Sequence, residues 1–466
     1  VIIPFQIAGT IGTHKSEQYS KELSRNLYID QSESAGRQGV HDFPGLKLLA
    51  AGTTGNRGAH VLGDTLYIVN GGSLYRVSAG FSVSLIGTIG GSERCIFSDD
   101  GTNLYIVFNN VIKRWDGSSL STVSQSVINS PNSIAYLNKQ FIIGGASGLF
   151  AVSDVGDGET YNALNYAEAE TQPDSLVRVH VFNQLLYLFG SKTVEQWYNT
   201  GQGNPPFARR DTSLVNVGLA GKHAVTNTDQ YLYWLGDDLK VYQCVGATAR
   251  AISTTGIAHI IESLTDASDC VASSFVHDGQ DFVLFKFPAD GVALVYSETF
   301  GYWFELSSGV KQDRQSWYGE HVIRCYGKNL SFDYRNGNVY ELDADTYTDN
   351  GDPRLRYRVL PPFTAKLGRM SGQITVTRVR LNMEAGEGLA TGQGSTPYLM
   401  AEFSPDGGKT WGAQTFTSIG QLGEYRKAVD IYDFCTGYEV RLRIGFTEPC
   451  HISMFDGEVD FVEAGY

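Results

Sequence analysis

The stretch from Gly63 to Val77 reads GDTLYIVNGGSLYRV. Gly63 and Asp64 make a turn, an aromatic and β-branched run follows, Asn70-Gly71-Gly72 reverses the chain, and a second run leaves it. That order is a β-hairpin signal. It returns in DGTNLYIVFNNVIKRWDG (Asp100 to Gly117), LNKQFIIGGASGLFAV (Leu137 to Val152), FNQLLYLFGSKTVEQWY (Phe182 to Tyr198) and DQYLYWLGDDLKVYQCV (Asp229 to Val245). A longer copy runs from His277 to Leu306, and the last, YGKNLSFDYRNGNVYELD, from Tyr326 to Asp343. Starts recur at intervals of about 37 to 50 residues, which suits one four-stranded propeller blade per interval. A shared or displaced terminal hairpin turns seven such copies into six blades. The spacing therefore predicts an all-β chain with a six- or seven-bladed β-propeller over residues 51–350.

Both flanks have a different texture. Residues 1–50 hold no copy of the repeat, and HDFPGLKLLA (His41 to Ala50) leads into the ring through a Pro-Gly turn. This extended segment is expected to close or flank the propeller as an outer strand, with a short helix as an option near Ser20 to Leu27. Turn formers cluster in DADTYTDNGDPRLRYRVLPPF (Asp343 to Phe363), and beyond them GQITVTRVRLNMEA (Gly372 to Ala385) alternates over a long strand. Further strand patterns in YEVRLRIGF and HISMFDGEVDFVEAG make residues 351–466 a β-sandwich-like tail domain.

Composition supports the pattern and narrows the function. The 466 residues include 53 Gly, 26 Tyr and 24 Phe, a bias toward short strands and tight turns. Acidic residues outnumber basic ones by 50 to 36, for a net charge of −14. A DNA-wrapping surface needs phosphate-neutralising cations, so this balance speaks against one. It is compatible with a conduit whose acidic wall repels passing phosphates. No apolar run approaches the roughly 18 residues that span a bilayer, so a soluble protein is expected. The six cysteines are widely spaced with no CxxC pair, and isolated thiols are the expectation.

No motif points to catalysis. SPDGGKTW, Ser404 to Trp411, resembles the Asp-box of sialidases through Ser404, Asp406, Gly408, Thr410 and Trp411. In that family the box is a turn brace remote from the active site, and a single copy outside the propeller is read here as a brace. Glycoside hydrolysis needs two carboxylates across a sugar bond. Asp99, Asp116, Asp157 and Glu195 are candidates by type, with turn bracing as the ordinary alternative. Arg76, Arg94, Arg114 and Arg178 are the matching candidates for an acidic sugar. His180, His223, His259 and His277 lie in different copies of the repeat, with no HExxH or close ligand spacing, so neither metal nor cofactor is expected. Tyr105, Trp115, Tyr187, Trp197, Tyr233 and Trp234 near hairpin ends are read as blade packing, because no basic stripe accompanies them.

Two longer stretches carry a family resemblance. They are NLYIDQSESAGRQGVHDFPGLKLLA (Asn26 to Ala50) and AEAETQPDSLVRVHVFNQLLYLFGSKTVEQWYNTG (Ala167 to Gly201). Together with the order of strand pairs, they resemble the tail hub, or nozzle, proteins of short-tailed bacteriophages, also called packaged DNA stabilisation proteins. The most family-specific positions are Glu170, Gln172, Pro173, Asp174, Phe189, Gly190, Thr193, Glu195, Trp197 and Tyr198.

The resemblance implies a non-enzymatic virion protein, made in the bacterial host cytoplasm and built into the short tail. It implies a homohexamer below the portal and adaptor rings that carries needle, spike or fibre proteins. That ring would retain packaged DNA and let double-stranded DNA pass, without sequence preference, at ejection. The alternative is a tail-associated propeller glycosidase or carbohydrate-binding protein.

Overall fold

The computed structural model describes residues 1–13, 21–31, 36–169, 174–210, 214–368 and 372–464. Hairpin chemistry accounts for much of it. A two-residue I′ turn needs positive φ at both central positions, which Asn and Gly tolerate best. Asn109-Asn110, Asn138-Lys139, Asn183-Gln184 and Asp278-Gly279 all adopt that pair of angles. Each turn sets a register, for example Phe108 opposite Val111 and Leu137 opposite Gln140.

The hairpins extend into four-strand antiparallel meanders that resemble propeller blades. The first comprises Asn56–Leu62, Thr65–Asn70, Ser73–Val77 and Val83–Thr88, paired in chain order. The next four begin at Ile96–Asp99, Pro131–Leu137, Leu176–Phe182 and Val225–Asn227. A sixth runs from Val271–His277 to Trp303–Glu305. The last takes three strands, Val322–Cys325, Lys328–Phe332 and Val339–Asp343, from late in the chain, and its fourth, Gly45–Ala50, from the N-terminal segment.

Neighbouring units are tied near their first strands. The Cys95 N–H donates to the Arg57 carbonyl at 2.7 Å, joining the first two units. The rings of Tyr105 and Phe141 meet at 4.1 Å between the second and third. The Val179 N–H donates to Ser133 Oγ at 3.1 Å, and Val322 N–H to Ser273 Oγ at 3.0 Å. The Asn56 N–H donates to the Asp333 carbonyl at 3.1 Å, so the last unit lies against the first.

Two further sheets involve both chain ends. One orders Leu27–Gln31, Gln38–Asp42, Ser453–Glu463, Ile374–Met383 and Val429–Gly437, with Ile2–Gln6 also on Ser453–Glu463. In the other, Trp303–Glu305 of the sixth unit is followed by Lys21–Arg25, Arg356–Val359, Glu439–Phe446, Tyr398–Ser404 and Thr415–Ser418. A single apolar cluster, including Leu27, Val40, Val379, Phe403, Leu442 and Phe461, takes side chains from both.

The helix considered near Ser20 to Leu27 is absent: Lys21–Arg25 and Leu27–Gln31 are strands, and Ser20 lies outside the described residues. Asn26 is the physical reason. It is fully buried at φ +56°, outside the right-handed helical region. Its Nδ2 donates to the Ser307 and Leu355 carbonyls at 2.7 and 2.9 Å, and its Oδ1 accepts from the Ser307 N–H at 3.0 Å. These bonds pin the segment between the sixth unit and the C-terminal strands. Asn26→Ala should lower the free energy of unfolding by about 3 kcal/mol in urea titration, since it strands buried polar groups and strains a positive φ. Asn26→Gly, which relieves the angle alone, should lose less.

Lys286 gives the fold a pH signature. It is fully buried, and Nζ donates to Ser316 Oγ at 2.9 Å and the Trp317 carbonyl at 3.3 Å. Burial, aided by repulsion from Arg335, pulls its pKa from 10.5 down to about 7. Between those values the unfolded chain holds the proton and the folded chain does not, so stability rises with pH across this window and levels off below it. Lys286→Met should raise the melting midpoint near pH 7 and remove a slope of up to about 1.4 kcal/mol per pH unit.

Candidate functional site

The positions that the resemblance singles out lie, where described, on or beside the fourth unit. Glu170, Gln172 and Pro173 lie outside the described residues. Asp174 Oδ2 accepts the Lys192 N–H at 2.8 Å, the Thr193 N–H at 3.0 Å and the Thr193 hydroxyl at 3.2 Å. A Cβ on Gly190 would stand 2.3 Å from that same oxygen, so glycine is needed for the carboxylate to approach. Phe189 is fully buried and meets Trp234 of the next unit edge-on at 5.8 Å. Glu195 is buried and accepts the Trp197 indole N–H at 2.9 Å, with Arg209 4.0 Å away, while Tyr198 is exposed.

The other acids considered for sugar chemistry are committed to local bonds. Asp99 lies 2.7 Å from His60, and that contact holds its carboxyl below the usual value. Asp116 accepts the backbone and hydroxyl groups of Ser118 and Ser119, which holds its carboxyl far down. Asp157 accepts the Glu159 N–H at 2.8 Å and the Thr160 hydroxyl at 2.7 Å. Among the described residues, no group of three or more His, Cys, Asp or Glu side chains is arranged to hold a metal. The six cysteines are free thiols, five of them buried.

SPDGGKTW closes on itself. Asp406 accepts the Lys409 N–H at 3.0 Å and the Thr410 N–H and hydroxyl at 2.9 and 2.6 Å, and these bonds bring its pKa down to about 2. Ser404 Oγ donates to Asp406 at 2.8 Å and accepts the Gly408 N–H at 2.8 Å. Trp411 carries the Arg443 guanidinium 4.1 Å from its ring centre, and Arg443 is ion-paired with Glu402.

A larger arrangement escaped the sequence reading. In RLRYRV, Arg354 to Val359, three arginines alternate with Leu355, Tyr357 and Val359, as the period of a strand requires. All three guanidiniums are buried. Arg354 donates to the carbonyls of Phe43 and, at 2.8 Å, Pro44. Arg356 donates to Asp42 at 2.9 Å, to the Cys450 carbonyl at 2.6 Å and to the Glu448 carbonyl. Arg358 donates to the Ile7 carbonyl at 2.9 Å. Burial pushes the Asp42 carboxyl up, but Arg356, His451 and the Ile452 N–H outweigh it and hold it below its ordinary value. The alternation of arginine with apolar residues was the available signal.

A second grouping forms where first strands meet. Arg94, Arg178 and His223, dispersed in sequence, come together with His60 and His321 around a cavity of about 190 Å³. Of the remaining candidates, Arg114 pairs with Glu159 at 2.8 Å, His180 bonds Asn227 at 3.1 Å and His277 lies 3.3 Å from Asp278. His259 lies on the helix Thr255–Glu262, and Arg76 on the strand Ser73–Val77.

Braced blade-like units and a clasped N-terminus define a scaffold, and comparison with known proteins gives its class: a structural protein of the phage tail. The chain belongs to the family described as Bacteriophage P22 Gp10, beta-propeller, whose model matches residues 1–347. The tail hub protein gp10 of Salmonella phage P22 is 24% identical over 330 residues, covering 64% of this chain and 68% of that protein. Among solved structures, a catalytically inactive virginiamycin B lyase from Staphylococcus aureus aligns with a TM-score of 0.46 at 10% identity, over 64% of this chain and 97% of that one. The WD40 domain of Neurospora crassa Pan2 aligns with a TM-score of 0.44 at 10% identity, over 64% and 96%.

The clasp is testable apart from the family. Arg356→Leu removes the guanidinium paired with buried Asp42, and should cost about 3–5 kcal/mol in stability. Hydrogen exchange should quicken first in Gln38–Asp42, the strand that Asp42 ends.

Proposed function

We propose that this tail hub protein acts as a passive nozzle, six copies closing side by side into a ring below the portal and adaptor of a short-tailed phage. In each copy the meanders form a closed seven-bladed propeller over residues 51–350, with Gly45–Ala50 as the closing strand. Residues 351–466 form a β-sandwich joined by strands from residues 1–50. The ring retains packaged DNA sterically, holds needle, spike or fibre proteins at its far end, and opens to let double-stranded DNA through. It carries no catalytic step.

The observation that carries this proposal is the family match across residues 1–347, which spans the N-terminal strands and every propeller-like unit. Physical support comes from charge and closure. A net charge of −14 gives DNA little to adhere to, which favours rapid passage. Heterologous contacts that close into a ring leave no growing end. Exposed Tyr432 and Phe434 on the strand Val429–Gly437 suit burial within an assembly.

Electron microscopy of assembled particles tests the proposal. Six copies of this chain should surround the tail axis next to the adaptor. A position in the capsid shell, or a single copy off the axis, overturns it.

A further inference from the structure

Among the described residues, the lining of the cavity at the first strands includes Arg94 and Arg178 and no carboxylate. Arg94 is ion-paired with the buried Glu320. Lys222, beside the cavity, has Glu93 at 3.7 Å. Among the described residues Arg178 has no carboxylate partner: Nη1 donates to the Lys222 carbonyl at 2.9 Å, and Nε is buried without a hydrogen bond. His321 is 9% exposed, stacks on Phe332 at 4.8 Å, and leaves both Nδ1 and Nε2 without a hydrogen bond. Among the described residues its charged neighbour within salt-bridge range is Glu320, at 3.8 Å.

Buried polar groups are ordinarily satisfied, and a buried guanidinium without a counter-charge is costly. Here Arg178, with Nε unbonded, and His321, with both ring nitrogens unbonded, belong to the lining of one cavity of about 190 Å³, enough for a hydrated ion and far too small for a duplex. Guanidinium and imidazole N–H groups are the donors that a tetrahedral oxyanion uses. The lining comes from different units, with Gly58 and His60 from the first, Arg178 from the fourth, Ser273 from the sixth and His321 from the last. An ion held there would cross-link strands that no single hairpin connects.

We infer that this cavity is a binding site for one small oxyanion of the phosphate class, held by Arg178, His321 and Arg94, that locks the first strands of opposing units together. Burial, reinforced by Arg94, keeps His321 well below its ordinary value, so it meets the ion as a neutral donor. Free inorganic ion and backbone phosphate share this chemistry, and the size of the cavity selects the free ion.

The probe is inorganic phosphate, titrated calorimetrically into the full-length chain in chloride buffer of matched ionic strength, with thermal unfolding followed in parallel. Saturable binding of one phosphate per chain is expected, with an unfolding midpoint that rises as phosphate is added. Arg178→Gln and His321→Phe, which keeps the stack on Phe332, should each weaken binding at least tenfold. Arg114→Gln, away from the cavity, should leave it unchanged. Retained far-UV circular dichroism separates loss of the site from loss of the fold. Sulfate should compete, and a short DNA duplex should not. Absence of saturable phosphate binding to the wild-type chain, equal affinity in the folded Arg178 and His321 variants, or displacement by the duplex would each overturn the assignment.

Discussion

Three guanidiniums buried in a row hold this molecule together. Arg354, Arg356 and Arg358 cannot remain in the interior without partners, and besides the carboxylates of Asp42 and Asp349 these are backbone carbonyls at Ile7, Phe43, Pro44, Glu448 and Cys450. The N-terminal segment must therefore lie against the strand Arg356–Val359 before the interior is satisfied. Its position determines where Gly45–Ala50 emerges. That strand completes the sheet whose other members come almost three hundred residues later. The last propeller-like unit and the C-terminal sheets thus depend on the same short segment.

Residues whose types suggest chemistry are used for bracing: Asp174 against the backbone of Lys192 and Thr193, Asp406 against that of Lys409 and Thr410, Glu195 under Trp197. Asp406, which accepts several local donors, is stabilised in charged form and fixes its turn.

Much of the array was legible because its information is local. Asn-rich dipeptides between alternating runs specify I′ turns without help from distant residues, and the hairpins at Asn138-Lys139 and Asn183-Gln184 fall where the repeat places them. The helix Thr255–Glu262 was equally local in origin: Thr254 caps it, with Ile257, Ile260 and Ile261 on one buried face. It was passed over because eight residues inside a strand-rich repeat give a weak periodic signal. Asn26 shows the opposite case. Its neighbours suit a helix, yet partners at Ser307 and Leu355 hold it left-handed, and no window of local sequence contains them.

By itself the sequence determined the strand-rich class, the sites of most reversals and the kinship of the chain, since turn angles and alternation depend on neighbouring residues. Tertiary structure decided that residues 1–50 divide between the last propeller-like unit and the C-terminal sheets. It also decided that Arg94, Arg178, His223 and His321 share one cavity. Those outcomes follow from pairing a buried charge, or an unfilled strand edge, with a group hundreds of residues away. Such pairings are selected only when the whole chain has collapsed around them and water can no longer serve as the partner.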